Sequence, residues 1–144
     1  MNWDEYRDNC KRWRMKKDST EYLAILLLGI REEYDEFIEE RKSGSVERQI
    51  EEYGDMLYNI ADLINYLEEN YISFRDVEYT GSIFVPRKCV EVVRKYYMRD
   101  CNYEKFIAEC WNIADISYLE YVVRSNTAGY ALDSSYVKMS NRHG

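Results

Sequence analysis

The sequence predicts an all-α protein, a single helical bundle of four to six helices spanning residues 1–144. Three observations point there. Between about 46 and 69, Ile50, Tyr53, Leu57, Ile60, Ile64 and Leu67 recur at alternating three- and four-residue steps, the spacing of a seam along one helix face. Two acidic segments between Gly29 and Asp62 are joined only by Ser43-Gly44-Ser45, as two antiparallel helices would be. The single proline, Pro86, stands where a helix would open, a position at which its missing N–H costs nothing.

Taken in order, residues 2–16 place Trp3, Tyr6, Cys10, Trp13 and Met15 at helical spacing and predict a first helix. Asp18 and Glu21 have capping-box spacing and open a second helix from about 20 to 41. The third helix carries the seam. Its Gly54 costs about 1 kcal/mol relative to Ala, so a close approach by another backbone or a ligand is expected there. Residues 70–84, with Asn70, Ser73, Thr80 and Gly81, read as a loop. The helix from Pro86 to about 98 presents Val90, Val93 and Tyr97 as a core edge and Arg87, Lys88, Arg94 and Lys95 as a basic one. A fifth helix, about 102–124, buries Phe106, Cys110, Ala114, Ser117 and Tyr121. Residues 126–129 read as a loop, and a short last helix opens at Leu132 or Asp133.

The acids between 29 and 62 carry the chemistry. Residues three apart share a helix face, so Glu33 with Glu36 and Glu52 with Asp55 each make a two-carboxylate ledge. If the two helices pack antiparallel, the ledges face one another. Like charges that close repel, and a bound cation relieves them. Carboxylates with no nearby His or thiol suit a hard, oxygen-preferring ion, Mg²⁺ with Mn²⁺ as the alternative. On the helix wheel Glu33 and Glu36 flank the stripe of Ile30, Tyr34 and Phe37, with Glu40 on the same flank as an open alternative. Glu32, Asp35 and Glu39 turn toward water, and Asn59 follows Asp55 around the third helix.

EEYDE at 32–36, a fifteen-residue spacer and EYGD at 52–55 resemble the EExxE and ExxD pair of MazG-type all-α nucleoside triphosphate pyrophosphohydrolases. LYNIADLINYL after Asp55 fits the same pattern, and Lys138-Met139-Ser140-Asn141-Arg142 resembles the KLxxR element that ends many members. An Asn three residues before that lysine is usual, and Ser135 stands there instead. The resemblance covers most of the chain; residues 71–101 correspond only to the helical insertion of longer members.

This resemblance implies a Mg²⁺-dependent conversion of a (deoxy)nucleoside triphosphate and water to the monophosphate and pyrophosphate. It implies metal ligands at Glu33, Glu36, Glu52 and Asp55, with Glu32 and Asn59 supporting them. Glu33 or Glu36 would take the water's proton. Lys138 and Arg142 would hold phosphates, in place of a plain basic tail. The resemblance also implies a homodimer or homotetramer.

Composition narrows the classes. A net charge of -7 argues against a nucleic-acid polymer as partner. No apolar run is long enough for a membrane span, which leads us to expect a soluble cytoplasmic protein. Four cysteines without a CxxC, and His143 alone, offer neither a zinc set nor the histidines of a di-iron bundle. We read the thiols as reduced, with Cys89 and Cys110 in the core. Lys11, Arg12, Arg14, Lys16 and Lys17 form a basic stretch that is either a solvated face or a phosphate attractor in which Lys16 contacts substrate. Trp13 either stacks on the base or packs in the core.

NIADLINYLE at 59–68 is echoed by NIADISYLE at 112–120, but Lys105 and Ala108 replace the acids of the first copy, so only that copy is expected to bind metal. Two other classes compete with the enzyme. One is a solvated, salt-bridged acidic helix pair; the other is a catalytically inactive nucleotide-binding or protein-interaction module with the same fold.

Overall fold

In the computed structural model the described residues are 1–13, 20–75 and 83–143, and they are helical with no strand among them. Six α-helices run in order: α1 (Trp3–Trp13), α2 (Thr20–Ser43), α3 (Val46–Asn70), α4 (Val85–Lys95), α5 (Tyr103–Ser117) and α6 (Ala128–His143). The Asp18 cap, Met15, Thr80 and Gly81 lie outside the described residues. No described helix is long and apolar enough to cross a membrane.

α3 is the axis of the bundle, touching α1, α2, α5 and α6. Its seam explains this: Tyr53, Leu57, Ile60, Ile64 and Leu67 are all buried, and so is every residue from Ala61 to Leu67. A helix apolar on this much of its circumference must be covered from several sides. Ser45 caps it, its hydroxyl accepting the Arg48 N–H at 3.2 Å. The turn before the cap is tight, so α2 returns against α3 as an antiparallel hairpin, with the core of α2 at Leu23, Leu26, Leu27 and Ile30.

Gly54 has the close neighbour its cost implies. A Cβ there would lie 2.9 Å from the Ala131 carbonyl oxygen and 3.1 Å from Ser135 Cβ, so α6 sits directly on α3 at this point.

Three elements differ from the sequence reading. α6 begins at Ala128, not at Leu132 or Asp133, because Ala128, Ala131 and Leu132 are all buried and hold the first turn helical despite Gly129. α4 buries Val85, Cys89 and Val92, one residue out of step with the expected Val90, Val93 and Tyr97. Tyr96, stacked on Phe106 at 4.5 Å, takes the place expected for Tyr97, which is exposed. Finally, α4 and α5 each end in a π-helical turn, Tyr96–Asp100 and Tyr118–Val123. The first of these closes at Cys101 (φ 48°), whose N–H donates to the Tyr96 carbonyl at 3.1 Å. Cys10, Cys89 and Cys110 are buried free thiols and Cys101 is exposed.

Candidate functional site

The α2–α3 hairpin brings the expected ledges together. Glu33, Glu36 and Glu52 each offer a carboxylate oxygen such that all three lie within 4.8 Å of one another. Glu33 and Glu52 are half-buried, and Glu36 is exposed at the mouth. One oxygen of Glu33 and one of Glu52 are buried with no hydrogen-bond partner among the described residues. An unsatisfied buried acceptor costs on the order of 1–3 kcal/mol, more if charged, so these two atoms are aimed at something that supplies positive charge or a proton.

The electrostatics agree. Burial first, then the hydrogen bond its protonated carboxyl donates to Glu36 and the charge of Asp55, raise Glu33 from 4.5 to about 8. Burial, then the hydrogen bond and charge of Glu36, raise Glu52 from 4.5 to about 7. With protons as the only cations, the cluster keeps some of them near neutrality.

Asp55 stands beside this group, half-buried, and its charge reaches both Glu33 and Glu52. Its partner comes from α6. Lys138 Nζ donates to both Asp55 oxygens at 3.0 Å and to Glu51 at 3.4 Å. The reason is local: Gly54 lets α6 down onto α3 at Ser135, and Lys138, one turn further, then reaches the residue after the glycine. Burial, helped by the charges of Glu51 and Glu36, raises the Asp55 carboxyl overall even though the Lys138 ammonium lowers it. Burial also pulls Lys138 down, but the hydrogen bond and charge of Asp55, together with Glu51, raise it overall.

The other predicted residues fall as follows. Glu32 is exposed. Glu40 is half-buried and accepts an ion pair from Arg48 at 3.4 Å, one more link between α2 and α3. Asn59 lies against α2 where Gly29 leaves room: a Cβ on Gly29 would be 2.9 Å from the Asn59 amide nitrogen. Arg142 is exposed near the end of α6. Trp13 packs against Tyr136 and His143, ring centroids 5.8 and 6.4 Å away. Tyr136 precedes Lys138 by two residues, roughly 200° around a helix, so Trp13 lies on another flank of α6 from the carboxylates. Lys16 is outside the described residues.

Sequence reasoning had assigned no role to Glu51, which shares Lys138 with Asp55. Its position four residues before Asp55 was the available signal.

The repeated NIAD segment resolves into two environments. Asp62 is buried and accepts the Tyr22 hydroxyl at 2.6 Å, whereas Asp115 is half-buried and pairs with Arg75 at 3.0 Å. Lys105, opposite Glu52 in the alignment of the two copies, is exposed.

The donor set fits a hard divalent cation. It is all oxygen, it spans two facing helices, and it leaves two buried acceptors open for coordination. No protein-family model, curated protein or solved structure matches this chain.

Proposed function

We propose that this chain is a Mg²⁺-dependent nucleoside triphosphate pyrophosphohydrolase with a MazG-like fold, converting a (d)NTP and water to a (d)NMP and pyrophosphate. One observation carries the reading: three carboxylates converge within 4.8 Å, and two of them hold a buried oxygen with no protein partner among the described residues. Glu33, Glu36, Glu52 and Asp55 are the proposed ligands, and Mn²⁺ is an acceptable substitute. When bound, the ion neutralises the acids, orients the triphosphate and makes a bound water more acidic.

The chain's own residues do the rest. In the overall reaction a bond forms between water oxygen and the α-phosphorus, the α–β bridging bond breaks, and pyrophosphate leaves with its electron pair. Glu33 or Glu36 takes the water's proton. Lys138 already bridges Asp55 of the site and the neighbouring Glu51, so it can turn from Asp55 to a phosphate once the acids are neutralised. Arg142, a turn beyond, adds a planar fork for phosphate oxygens. Half-buried walls around Glu33 and Glu52 exclude part of the water that would screen these contacts. A homodimer or homotetramer in the cytoplasm belongs to the same proposal, and Ile25 and Leu28, exposed on α2, supply apolar surface for it.

One observation favours a second reading, an inactive nucleotide-binding or interaction module. The Lys138 ammonium, held by both Asp55 oxygens, is itself a counter-charge that lets part of the acid cluster persist without a metal.

Pyrophosphate release across canonical and modified triphosphates separates the two. With Mg²⁺ the enzyme reading expects turnover on at least one of them, lowered about 100-fold or more in Glu36→Gln. A folded wild type no more active than Glu36→Gln on every substrate supports the inactive module.

A further inference from the structure

A cleft of about 1000 Å³ opens between the C-terminal half of α2, the N-terminal half of α3, the start of α4 and the segment joining α5 to α6. It is distinct from the carboxylate cluster. On the α2 wheel Glu33, Glu36 and Glu40 fall within roughly 60°, while Tyr34, Phe37, Ile38 and Arg41 centre roughly 120° away. None of Glu33, Glu36, Glu52 and Asp55 lines the cleft.

Its walls are aromatic and braced. Phe37 meets Tyr53 edge-on at 5.1 Å, Tyr34 meets Phe84 edge-on at 5.5 Å, and Tyr121 lies 6.3 Å from Tyr34. The Tyr53 hydroxyl donates to the Tyr121 carbonyl at 2.6 Å, at the π-helical turn that ends α5. These contacts fix the rings to one another at the wall and leave the space between the walls open. A volume at the upper end of the range for small-molecule sites, with aromatic walls and a polar edge at Gln49, Ser125, Asn126 and Thr127, suits a ligand with a ring and a polar substituent.

The charge pattern adds one requirement. The lining acid Glu120 is already paired with Arg124 at 2.9 Å. Arg41, the lining cation, lies over the Phe37 ring at 5.8 Å and has no ion pair among the described residues. A guanidinium over a ring beside an open cleft provides a positive charge at its edge.

We infer that this cleft is a second ligand site, which takes a planar aromatic molecule carrying one negative charge, ring against Phe37 and Tyr53 and anion against Arg41. The assignment stands on the cleft alone and does not depend on the reaction at the carboxylates.

The test uses the whole chain and two dyes of the same shape, the anionic anilinonaphthalene sulfonate and the uncharged N-phenylnaphthylamine. Both are expected to bind saturably, one per chain, with enhanced fluorescence. Arg41→Gln should weaken the anionic dye by about tenfold and leave the neutral one within about twofold, as removal of one charge-assisted contact does. Val46→Glu, at a rim position that is 70 % exposed and so tolerant of change, should weaken the anionic dye as well. Glu36→Gln should alter neither dye.

Displacement of the dye by adenosine monophosphate assigns the natural charge to a phosphate, and displacement by indoleacetate assigns it to a carboxylate. Displacement by neither overturns the inference. So does binding without saturation, an Arg41→Gln effect equal for both dyes, or dye exclusion that tracks self-association and shows a second copy in the cleft.

Discussion

Glu33 and Glu52 are costly residues to leave as they stand, and the cost has a sign. Each carboxyl binds protons more tightly folded than unfolded, with Glu33 raised from 4.5 to about 8 and Glu52 from 4.5 to about 7. Between those values the native state holds more protons than the unfolded chain, so stability falls as pH rises. The stabilising effect of these two groups is complete below 4.5 and is lost as pH rises through about 7 for Glu52 and about 8 for Glu33. Thermal melting without divalent ions should therefore show a midpoint that declines across this window, and Mg²⁺ should restore it most at the alkaline end, where protons no longer compete. A midpoint that rises with pH over the same range, or a Mg²⁺ effect larger at acid pH, would contradict the cluster. Two glycines make a second residue-scale test. Gly54→Ala gains about 1 kcal/mol of helix propensity but meets the Ala131 backbone, for an overpacking cost of about 1–3 kcal/mol. Gly129, with nothing within 4 Å of its missing Cβ, meets no such obstacle. Melting should show Gly54→Ala unchanged or less stable and Gly129→Ala more stable.

At the scale of elements, the α2–α3 hairpin was legible because several signals agreed on it: the seam from Tyr53 to Leu67, the Ser-Gly-Ser turn and the acids at i and i+3. Ser45 is the residue that starts α3, and its side chain satisfies the Arg48 N–H. Ser45→Ala should cost about 1 kcal/mol, a loss of roughly 2–4 °C in melting midpoint for a chain of this size. An unchanged midpoint would mean that packing alone fixes the start of α3. Elsewhere the signals conflicted. In α4 two apolar stripes run one residue apart, and the periodicity taken from Val90, Val93 and Tyr97 picked the wrong one; the contacts with α2 and α5 bury Cys89 and Val92 instead. Glycine and small polar residues marked 126–129 as a loop, but burial of Ala128 and Ala131 outweighs that local preference. The two π-helical turns had no sequence signature, since each closes its helix and no apolar repeat follows within that helix to show the shifted register.

For the whole molecule, the candidate site was legible as residues but not as an assembly. Sequence spacing singled out Glu33, Glu36, Glu52 and Asp55 because one helical turn separates each pair. The Lys138 bond to Asp55 depends on how closely α6 approaches α3, a distance set by Gly54 and Ser135 acting together across the chain. Ser135, where the resembled family has Asn, is buried and bonds the Tyr6 hydroxyl at 2.6 Å, so a small side chain there also ties α1 to α6. The cleft behind Phe37 and Tyr53 is likewise a property of the assembled bundle, since its walls come from four separate stretches. The bundle thus holds like charges together on one side of a rigid hairpin, and that arrangement is the central claim. Mn²⁺ titration followed by electron paramagnetic resonance at about pH 8, where Glu52 has largely shed its proton and the ion competes with the one still shared by Glu33, tests it most directly. Saturable binding to the wild type is expected, weakened by at least about tenfold in Glu33→Gln and Glu52→Gln. Absence of saturable binding, or equal binding by folded variants, would contradict it.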